Sequence, residues 1–383
     1  MSRNPKALLL SLSIVAALAA CNREAAAPAA DASAAKASDA PKLTLDESKL
    51  PGVNTFQVSD LDTTKNVCAD FNGYVNGKWL AANPIPNDRT SWGSMEVLDE
   101  RSNAVQRQIA DQAAANAKAT GVEKIIGDMW ATGMDEAKIE AQGMKPIEGR
   151  LAEVDKLTDA NSIAAYLRDS ASKGEGFLFG FGPEADFKNS SMNMAYATQG
   201  GLGLPDTEYY FDPAKKKNLA DYEAHIARTL ELSGTPAADA AKQAKDVVAF
   251  ETRLAKVSKS RVELQRDVAL YYHPVSPADA DKATPGFSWE EFFKAQGIDT
   301  PKTFSMPMTE FHAEWNKMRS DVPVDQWKSY LRFHVIDEAS PYLSDKFVQE
   351  NFNFYGKAMR GQKEMKPRWK RVLGTTNGSA GEA

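Results

Sequence analysis

Residues 92–113 read WGSMEVLDERSNAVQRQIADQA, and the spacing of the apolar residues in this stretch decides the fold class. Charged and amide side chains fill most of the positions between them. An α-helix turns once in about 3.6 residues, so apolar side chains three, four and seven positions apart share one face. The stretch therefore predicts an amphipathic α-helix with its apolar face at Met95, Leu98, Val105, Ile109 and Ala113.

Outside this stretch the same helical spacing recurs. It is found in three further segments, 122–130, 163–167 and 247–257. Residues 177–182, which read FLFGFG, and residues 192–198 flank a turn-rich stretch at 186–191, and this arrangement predicts a short β-hairpin. The sequence has no internal repeat with a solenoid period. We therefore expect a mainly α fold, a large helical domain with a small β-hairpin element.

Composition excludes several classes of protein. The chain has 383 residues, 43% of them hydrophobic and 26% charged, which is ample for a buried core. Its 46 basic and 52 acidic residues give a formal charge of −6. Nucleic-acid binders normally carry a basic excess or stripe, so we expect no nucleic-acid partner. The two cysteines, Cys21 and Cys68, are too few for a disulfide scaffold or a cysteine-rich metal cage.

The start of the chain has the composition of an export signal. Arg3 and Lys6 precede an apolar run over residues 7–20, which is too short to span a bilayer permanently. Residues 18–21 read LAAC, the pattern that precedes the lipid-modified cysteine of bacterial lipoproteins. We expect residues 1–20 to be a lipoprotein signal peptide that is removed, and Cys21 to be acylated. Cleavage after residue 20 without lipid attachment is the alternative.

Residues 21–50 are predicted to be a disordered tether rich in Ala, Ser and Pro. Between residues 22 and 41 there are ten alanines and no Val, Ile, Leu, Met or aromatic residue, so this part cannot bury a core. Acyl chains on Cys21 would hold the protein on a membrane. We therefore expect a lipoprotein of the cell envelope, facing the periplasm or the surface. In enteric bacteria, an Asp directly after the lipidated cysteine retains a lipoprotein in the inner membrane. This chain has Asn22 at that position, which by analogy favours the outer membrane.

Familiar catalytic patterns are missing from the sequence. A helix-borne zinc hydrolase needs His-Glu-x-x-His, which pairs two metal ligands with a general base. No Gly-x-Ser-x-Gly nucleophile elbow is present, and Cys68 has no cationic neighbour closer than Lys65 to activate its thiol. We expect structural roles for the four histidines, which do not form the zinc pattern: His225, His273, His312 and His334.

Two further stretches have a structural and a functional interpretation each. Residues 200–205 read GGLGLP but lack the Gly-Lys-Ser/Thr of a phosphate loop, so a tight turn is favoured. A basic group near the end could bind phosphates or anionic lipid, although a solvated face or a surface for another part of the chain is favoured. This group consists of Arg360, Lys363, Lys366, Arg368, Lys370 and Arg371.

Several motifs, read in chain order, carry a family resemblance. Residues 68–80 read CADFNGYVNGKWL, and residues 83–89 read NPIPNDR, with Trp92-Gly93 just beyond. Later matching pieces lie at 178–182, 199–206, 209–210, 352–357 and 367–371. From about Asp60 to its last residue, the chain resembles the N-terminal part of the neprilysin-like zinc metallopeptidases, the M13 family.

The resemblance implies a fold and a function. It implies that residues 51–383 form the large helical N-terminal domain of an M13 peptidase. In the family this domain folds against a thermolysin-like catalytic part, and the two enclose a cavity that admits peptide substrates. The His-Glu-x-x-His helix and the remaining zinc ligand belong to that catalytic part, so no catalytic or metal-binding residue is expected in this chain. We expect a truncated chain that binds no zinc and is inactive alone.

The resemblance also implies roles for individual residues. An Arg that holds the carboxyl end of the substrate is often found where this chain has Ser91; Arg89 lies two positions away, and Glu96 matches an acidic residue that orients that Arg. These three are candidate substrate-cavity residues. The family cysteine at the position of Cys68 typically pairs with one near the end of the catalytic part.

Two other interpretations remain open. The chain could be a finished, non-catalytic lipoprotein that uses the helical domain to bind peptides or a partner. It could also be an enzyme of another class, such as a hydrolase that uses carboxylates, although acidic pairs such as Glu290-Glu291 do not support this, because the sequence does not give the separation of carboxylates that glycoside hydrolysis needs.

Overall fold

A computed structural model describes residues 44–52 and 55–380, so Cys21, the predicted signal peptide and most of the predicted tether lie outside the described residues. In these ranges the chain forms sixteen α-helices. In chain order they are α1 (Phe71–Ala82), α2 (Ser94–Ala115), α3 (Gly121–Met134), α4 (Glu136–Gln142), α5 (Glu148–Asp155), α6 (Ala160–Ser172), α7 (Glu208–Phe211), α8 (Lys216–Leu232), α9 (Ala237–Ala255), α10 (Arg261–Arg266), α11 (Pro277–Ala283), α12 (Trp289–Ala295), α13 (Thr309–Asp321), α14 (Val324–Ala339), α15 (Asp345–Asn351) and α16 (Arg368–Ala380).

A small sheet accompanies the helices. Its strands are β1 (Phe179–Asp186), β2 (Asn189–Gln199), β3 (Pro274–Val275) and β4 (Phe304–Ser305), in the spatial order β1-β2-β4-β3. The antiparallel pair β1 and β2 is the predicted hairpin, with Phe179 opposite Gln199. β2 pairs with β4 in parallel, and β4 pairs with β3 antiparallel. The mainly α fold with a small β element is confirmed, although the two-residue strands β3 and β4 were not predicted.

The large core is built around aromatic side chains from the hairpin and from α8 to α14. Phe179 of β1 stacks on Trp315 of α13 with 5.6 Å between ring centroids, and Phe250 of α9 stacks on Tyr330 of α14 at 4.1 Å. Aromatic pairs at these separations add roughly 0.5–1.5 kcal/mol each beyond the area that they bury. The hairpin is thereby fixed against the helices, with its turn at the surface.

The glycine-rich stretch at residues 200–205 has no regular secondary structure and bends over this core from Gly203 onward. Gly201 has φ +78°, a conformation that side-chain-bearing residues rarely adopt. The backbone N–H of Gly203 donates to the carboxylate of Glu251 at 3.1 Å. That carboxylate is fully buried and also binds Tyr210 (2.6 Å), Tyr222 (2.9 Å) and His334 (2.9 Å). A protein carboxylate therefore occupies the place where a phosphate loop would hold its ligand.

His225 of α8 lies in a second buried polar cluster. Its Nδ1 lies 2.9 Å from Glu350 and its Nε2 lies 3.1 Å from Asp337, so both ring nitrogens face carboxylates and both have to donate. Burial alone would lower the pKa of His225, but the hydrogen bonds to Asp337 and Glu350 outweigh burial and raise it. Arg228 binds the same Glu350 oxygen at 2.8 Å. The cluster links α8, α14 and α15 and favours the imidazolium form.

A separate small core joins α2, α3 and α16. It consists of Ala110, Trp130 and Leu373. Two glycines of α3 permit the close approach of these helices. A Cβ at Gly127 would lie 2.6 Å from the carbonyl oxygen of Ala113, and one at Gly133 would lie 2.5 Å from Val372. Gly127 therefore lies against the backbone of α2 and Gly133 against the Val372 side chain of α16.

The predicted helix of the opening stretch is present as α2, but its apolar face is only partly buried. Ala110 and Ala113 are buried, while Met95 is 73% exposed and Leu98 48% exposed. The predicted apolar face is therefore buried at its C-terminal end and exposed at its N-terminal end. In the described residues, none of the helices has the length and apolar character needed to cross a bilayer.

Gly127→Ala should destabilise the protein although alanine is the better helix former. The new methyl group would meet the backbone of α2, and overpacking of this kind costs about 1–3 kcal/mol against a propensity gain of about 1 kcal/mol. Chemical denaturation followed by tryptophan fluorescence should show a lower free energy of unfolding. Gly374→Ala in α16 is the control. A Cβ at Gly374 meets no atom within 4 Å, so this substitution should stabilise the chain through helix propensity alone. Equal effects of the two substitutions would contradict the close packing of α3 on α2.

His225→Gln should destabilise the protein more at pH 6 than at pH 9. The pKa of His225 is raised in the folded state, so its stabilising contribution is fully present below the unfolded pKa of about 6.5 and is lost as pH rises through the folded pKa. At pH 6 the variant leaves Asp337 without its cation and Glu350 with Arg228 alone, and the loss of one partner from a buried ion pair typically costs about 3–5 kcal/mol, which is an upper bound for this partly exposed cluster. The measurement is the free energy of unfolding at both pH values. His273→Gln serves as the control because His273 is exposed. A pH-independent difference between wild type and His225→Gln would contradict the imidazolium assignment.

Candidate functional site

The connector between α1 and α2, residues 83–93, contains the first two candidate substrate-cavity residues. It lies against the chain that precedes α16. The carbonyl of Asn87 accepts from the backbone N–H groups of Lys363 (3.1 Å) and Glu364 (2.9 Å), and the Asn87 amide donates to the Glu364 carboxylate at 2.8 Å. Gln362 donates to the carbonyl of Asp88 at 3.1 Å. Two segments about 275 residues apart in sequence are thus held together by backbone and side-chain bonds.

Glu100 of α2 joins the connector to α16 through an ion-pair network. Its carboxylate binds Lys370 at 2.7 Å and also binds Arg89. Arg89 contacts a second carboxylate, Asp99, at 3.1 Å, and Lys370 contacts Asp88 at 3.4 Å. Burial would raise the pKa of Glu100, but the hydrogen bonds from Lys370 and Arg89 outweigh it and lower the pKa. The carboxylate therefore stays ionised between its two cations.

The three candidate cavity residues are close in space but bind different partners. The hydroxyl of Ser91 donates to Glu96 at 2.7 Å, whereas the guanidinium of Arg89 is directed to Asp99 and Glu100 and its side chain is only 9% exposed. A substrate carboxylate at Arg89 would have to compete with two carboxylates of the protein. The role of Arg89, Ser91 and Glu96 in substrate binding stays a prediction.

Sequence reasoning missed the partners of Arg89. Asp99 and Glu100 belong to the helical stretch, and their charges were read only as its polar face. The contacts of Lys370 with Asp88 and Glu100 join residues about 270 or more positions apart, and spacing along the chain gives no signal for such contacts.

Cys68 lies just before α1, where it is exposed and free. The side chain of Asn66 accepts from its backbone N–H at 2.9 Å, and Asp70, two residues later, caps α1 by accepting from the Gly73 N–H at 2.8 Å. The thiol is thus presented at the surface by a fixed helix start. Its pairing with a cysteine of a catalytic part stays a prediction.

The four histidines are dispersed through the described part of the chain. His225 and His334 bind buried carboxylates, as described above, and His273 is exposed. His312 lies 3.0 Å from the carbonyl of Ala197 and accepts from Trp315; burial lowers its pKa to about 4. Between residues 44 and 380, residues 53 and 54 excepted, no group of three or more His, Cys, Asp and Glu is placed to hold a metal ion.

Exposed apolar side chains are concentrated before residue 135. Of the nineteen large hydrophobic side chains that are exposed in the described residues, twelve lie there, and we call them the N-terminal apolar surface. Scattered apolar residues are normal on a protein surface, whereas a contiguous apolar patch marks an interaction surface, and the concentration of these twelve in one part of the chain is the basis for the proposal made below. The twelve residues are Leu45, Phe56, Val58, Val67, Phe71, Leu80, Ile85, Met95, Leu98, Val122, Ile125 and Met134.

The members of the basic group near the end of the sequence have different surroundings. Lys370 contacts another part of the chain, since it binds Asp88 and Glu100 as described above. Arg368 donates to the carbonyl of Gly133 at 2.8 Å. Arg360, Lys366, Arg368 and Arg371 all line one cavity between α3, α4, α15 and α16. The favoured interpretation, a surface for another part of the chain, accounts for part of this group only.

Comparisons with known proteins match this architecture. The family model described as "Peptidase family M13" matches residues 67–383. Endothelin-converting enzyme 1 of Rattus norvegicus is 26% identical over 346 residues, which cover 86% of this chain and 45% of that protein. The neutral endopeptidase of Lactobacillus helveticus is 26% identical over 313 residues, which cover 81% of this chain and 48% of that protein.

Solved structures agree with the sequence matches. The crystal structure of Mycobacterium tuberculosis zinc metalloprotease Zmp1 with an inhibitor aligns with a TM-score of 0.79 and 32% identity, covering 84% of this chain and 50% of that one. The structure of PepO from Lactobacillus rhamnosis aligns with a TM-score of 0.72 at 19% identity, which shows the shared fold. The chain spans about half the length of these proteins. On the match over residues 67–383, this chain belongs to peptidase family M13 and comprises the N-terminal domain of that family.

Proposed function

We propose that this chain is the N-terminal, substrate-enclosing part of a zinc metalloendopeptidase that acts on peptides. The observation that carries the proposal is the family match over residues 67–383, together with relatives that are about twice as long. Hydrolysis would then need a catalytic part with the His-Glu-x-x-His motif, which these 383 residues do not contain.

The metal is assigned to that catalytic part. A catalytic zinc site needs three protein ligands and one open position. The described residues offer no group of three or more suitable side chains, so they do not fit the metal, and we derive no step through zinc for this chain.

The N-terminal apolar surface supports the proposed assembly. Met95 and Val122 are 73% and 64% exposed, although both lie on helices whose other faces pack in the small core. Burial of apolar area stabilises a complex by roughly 25 cal/mol per Å². A partner that covers the N-terminal apolar surface would therefore gain binding energy from it. We propose that the catalytic part covers it.

We also propose that the protein is a lipoprotein of the cell envelope, with the outer membrane favoured. The LAAC sequence that ends at Cys21 and the alanine-rich residues 22–41 support an acylated N-terminus on a tether. Mass spectrometry of the mature protein tests this. We expect an acylated Cys21 as the first residue; an unmodified Cys21 or a retained signal peptide would refute the proposal.

Leu98→Asp should weaken the assembly with a catalytic part, because it places a charge in the N-terminal apolar surface. The test joins this chain to the catalytic part of the mycobacterial relative and measures hydrolysis of a peptide library with and without chelator. We expect the fusion to cleave peptides in a chelator-sensitive way and the chain alone to be inert. The substitution should lower the activity of the fusion at least about tenfold.

Phe211→Asp is the matched control for Leu98→Asp. Phe211 is 47% exposed, as Leu98 is 48% exposed, but it lies outside the N-terminal apolar surface, so its substitution should leave activity within about twofold. A fusion without activity, or chelator-sensitive cleavage by the chain alone, would contradict the proposed function.

The chain alone should bind a hydrophobic dye and self-associate. The double substitution Met95→Asp, Val122→Asp should reduce both, measured by dye fluorescence and light scattering. Phe187→Asp, Met192→Asp on the hairpin is the control pair, because these side chains are also exposed but lie elsewhere. A monodisperse monomer without dye binding would favour the alternative, a non-catalytic lipoprotein that binds peptides or a partner.

A further inference from the structure

The cavity between α3, α4, α15 and α16 has a volume of about 1060 Å³ and contains more positive charge than its surroundings balance. Arg360, Lys366, Arg368 and Arg371 line it. Within the described residues none of these four forms an ion pair, and Asp128, the carboxylate in the lining, is held by Lys124 at 2.7 Å. We call this space the basic cavity.

Like charges in the basic cavity act on one another. Arg371 is partly buried, and its pKa is lowered by burial and by the neighbouring Arg368. Asp345 and Glu136 are near enough to act in the opposite direction, but neither lies within 4.0 Å of Arg371. The guanidinium Nε of Arg371 donates to the carbonyl of Lys366 at 3.2 Å, which positions the side chain without neutralising it. Among the described residues no carboxylate is in direct contact with these four cations, and a bound anion would supply that contact.

The remainder of the lining is largely apolar. Its apolar and aromatic side chains are Met129, Ile139, Pro341, Tyr342, Val348, Phe352, Tyr355, Met365 and Val372. A purely hydrophilic anion would leave these side chains without a partner, whereas a ligand with an anionic head and an apolar body would satisfy both parts of the lining. Pockets for small ligands commonly measure about 300–1,000 Å³ and combine apolar walls with a few polar groups, and this cavity lies at the upper end of that range.

The backbone around the cavity argues against an extended peptide as the ligand. The lining comes from helices and from the chain at residues 360–366, and β-strands do not contribute to it. An extended peptide bound along a sheet edge gains main-chain hydrogen bonds, but the groups within a helix already bond to one another. The lining therefore suits a ligand that has no peptide backbone of its own.

We propose that the basic cavity binds an amphiphilic anion, a carboxylate or phosphate head group on an alkyl chain, with Arg360 and Arg371 at the head and the apolar residues around the chain. This site is separate from Arg89, Ser91 and Glu96 and does not depend on the proposed peptidase function. Fatty acids and lipid phosphates share the required chemistry.

Calorimetry on the purified chain tests the proposal with three ligands below their micellar concentrations. We expect sodium decanoate and decyl phosphate to bind at one saturable site, and neutral decyl glucoside to bind at least about tenfold more weakly. Tighter binding of decanoate would identify a fatty acid as the source of the anion, and tighter binding of decyl phosphate would identify a lipid phosphate. Absence of saturable binding by both anions would overturn the proposal.

Charge variants locate the site. Arg360→Gln and Arg371→Gln should each weaken decanoate binding at least about tenfold, which corresponds to about 1.4 kcal/mol. Lys363→Gln is the matched control, because Lys363 is an exposed cation of the same basic group that does not line the cavity. Arg371→Gln removes a hydrogen bond within the protein, so its thermal unfolding is measured alongside; Arg360 has no such bond in the described residues. Equal affinity in all variants would overturn the assignment.

A steric variant separates binding in the cavity from binding to other apolar surfaces. Gly374 of α16 lines the cavity, and a Cβ there would meet no atom within 4 Å, so Gly374→Leu should fill the space without disturbing the helix. Gly378→Leu is the control, since Gly378 is on the same helix with equal free space but does not line the cavity. We expect Gly374→Leu to abolish saturable decanoate binding while Gly378→Leu retains it. Binding that survives Gly374→Leu would place the ligand elsewhere and refute the site.

Discussion

The buried carboxylate of Glu251 is the group on which the arrangement of the large core depends. It accepts hydrogen bonds from Tyr210, Tyr222, His334 and the backbone of Gly203, which belong to four different parts of the chain. A carboxylate taken out of water costs several kcal/mol unless it is hydrogen-bonded, so α7, α8, α14 and the glycine-rich turn have to reach it together. Helix packing alone permits small shifts of one helix along another. The hydrogen bonds to Glu251 allow only one relative position of these helices.

The two cores differ in how strongly contacts among the described residues stabilise them. The large core contains fully buried Trp289, Trp315 and Trp327, each of which contributes a large apolar area. Trp130 is the one aromatic side chain among the buried residues of the small core, with the partly buried Trp369 packed against it, and α2 and α3 expose several large apolar side chains. Local stability therefore differs along the chain, and the first helices depend more on contacts with other surfaces. In a peptidase with two parts, such an arrangement would couple the order of α2 and α3 to the presence of the catalytic part.

Sequence reasoning found the helical class and the hairpin because both rest on local periodicity. It could not find which face of α2 is covered, since spacing shows that Met95 and Ala113 lie on one side of a helix but not what lies opposite. Apolar spacing marked α9 only from Val247 onward, whereas the helix begins at Ala237, because its alanine-rich first half has little apolar contrast. The cations of the basic cavity did have a local signal, since they belong to the basic group at residues 360–371, but their apolar surroundings and the network around Glu100 come from segments that are far apart in the sequence.

The contact between α16 and the first helices also determines when the structure can be completed. Asn377 donates to Gln106 at 2.6 Å, and Leu373 fills the small core, yet about 250 residues separate the end of α2 from the start of α16. A ribosome adds roughly 5–20 residues per second, so α2 and α3 wait on the order of tens of seconds for the helix that completes their packing. The segment that is synthesised first is therefore finished last. During that interval its apolar residues are accessible to chaperones and to neighbouring nascent chains. The yield of folded protein therefore depends on which of these contacts forms first.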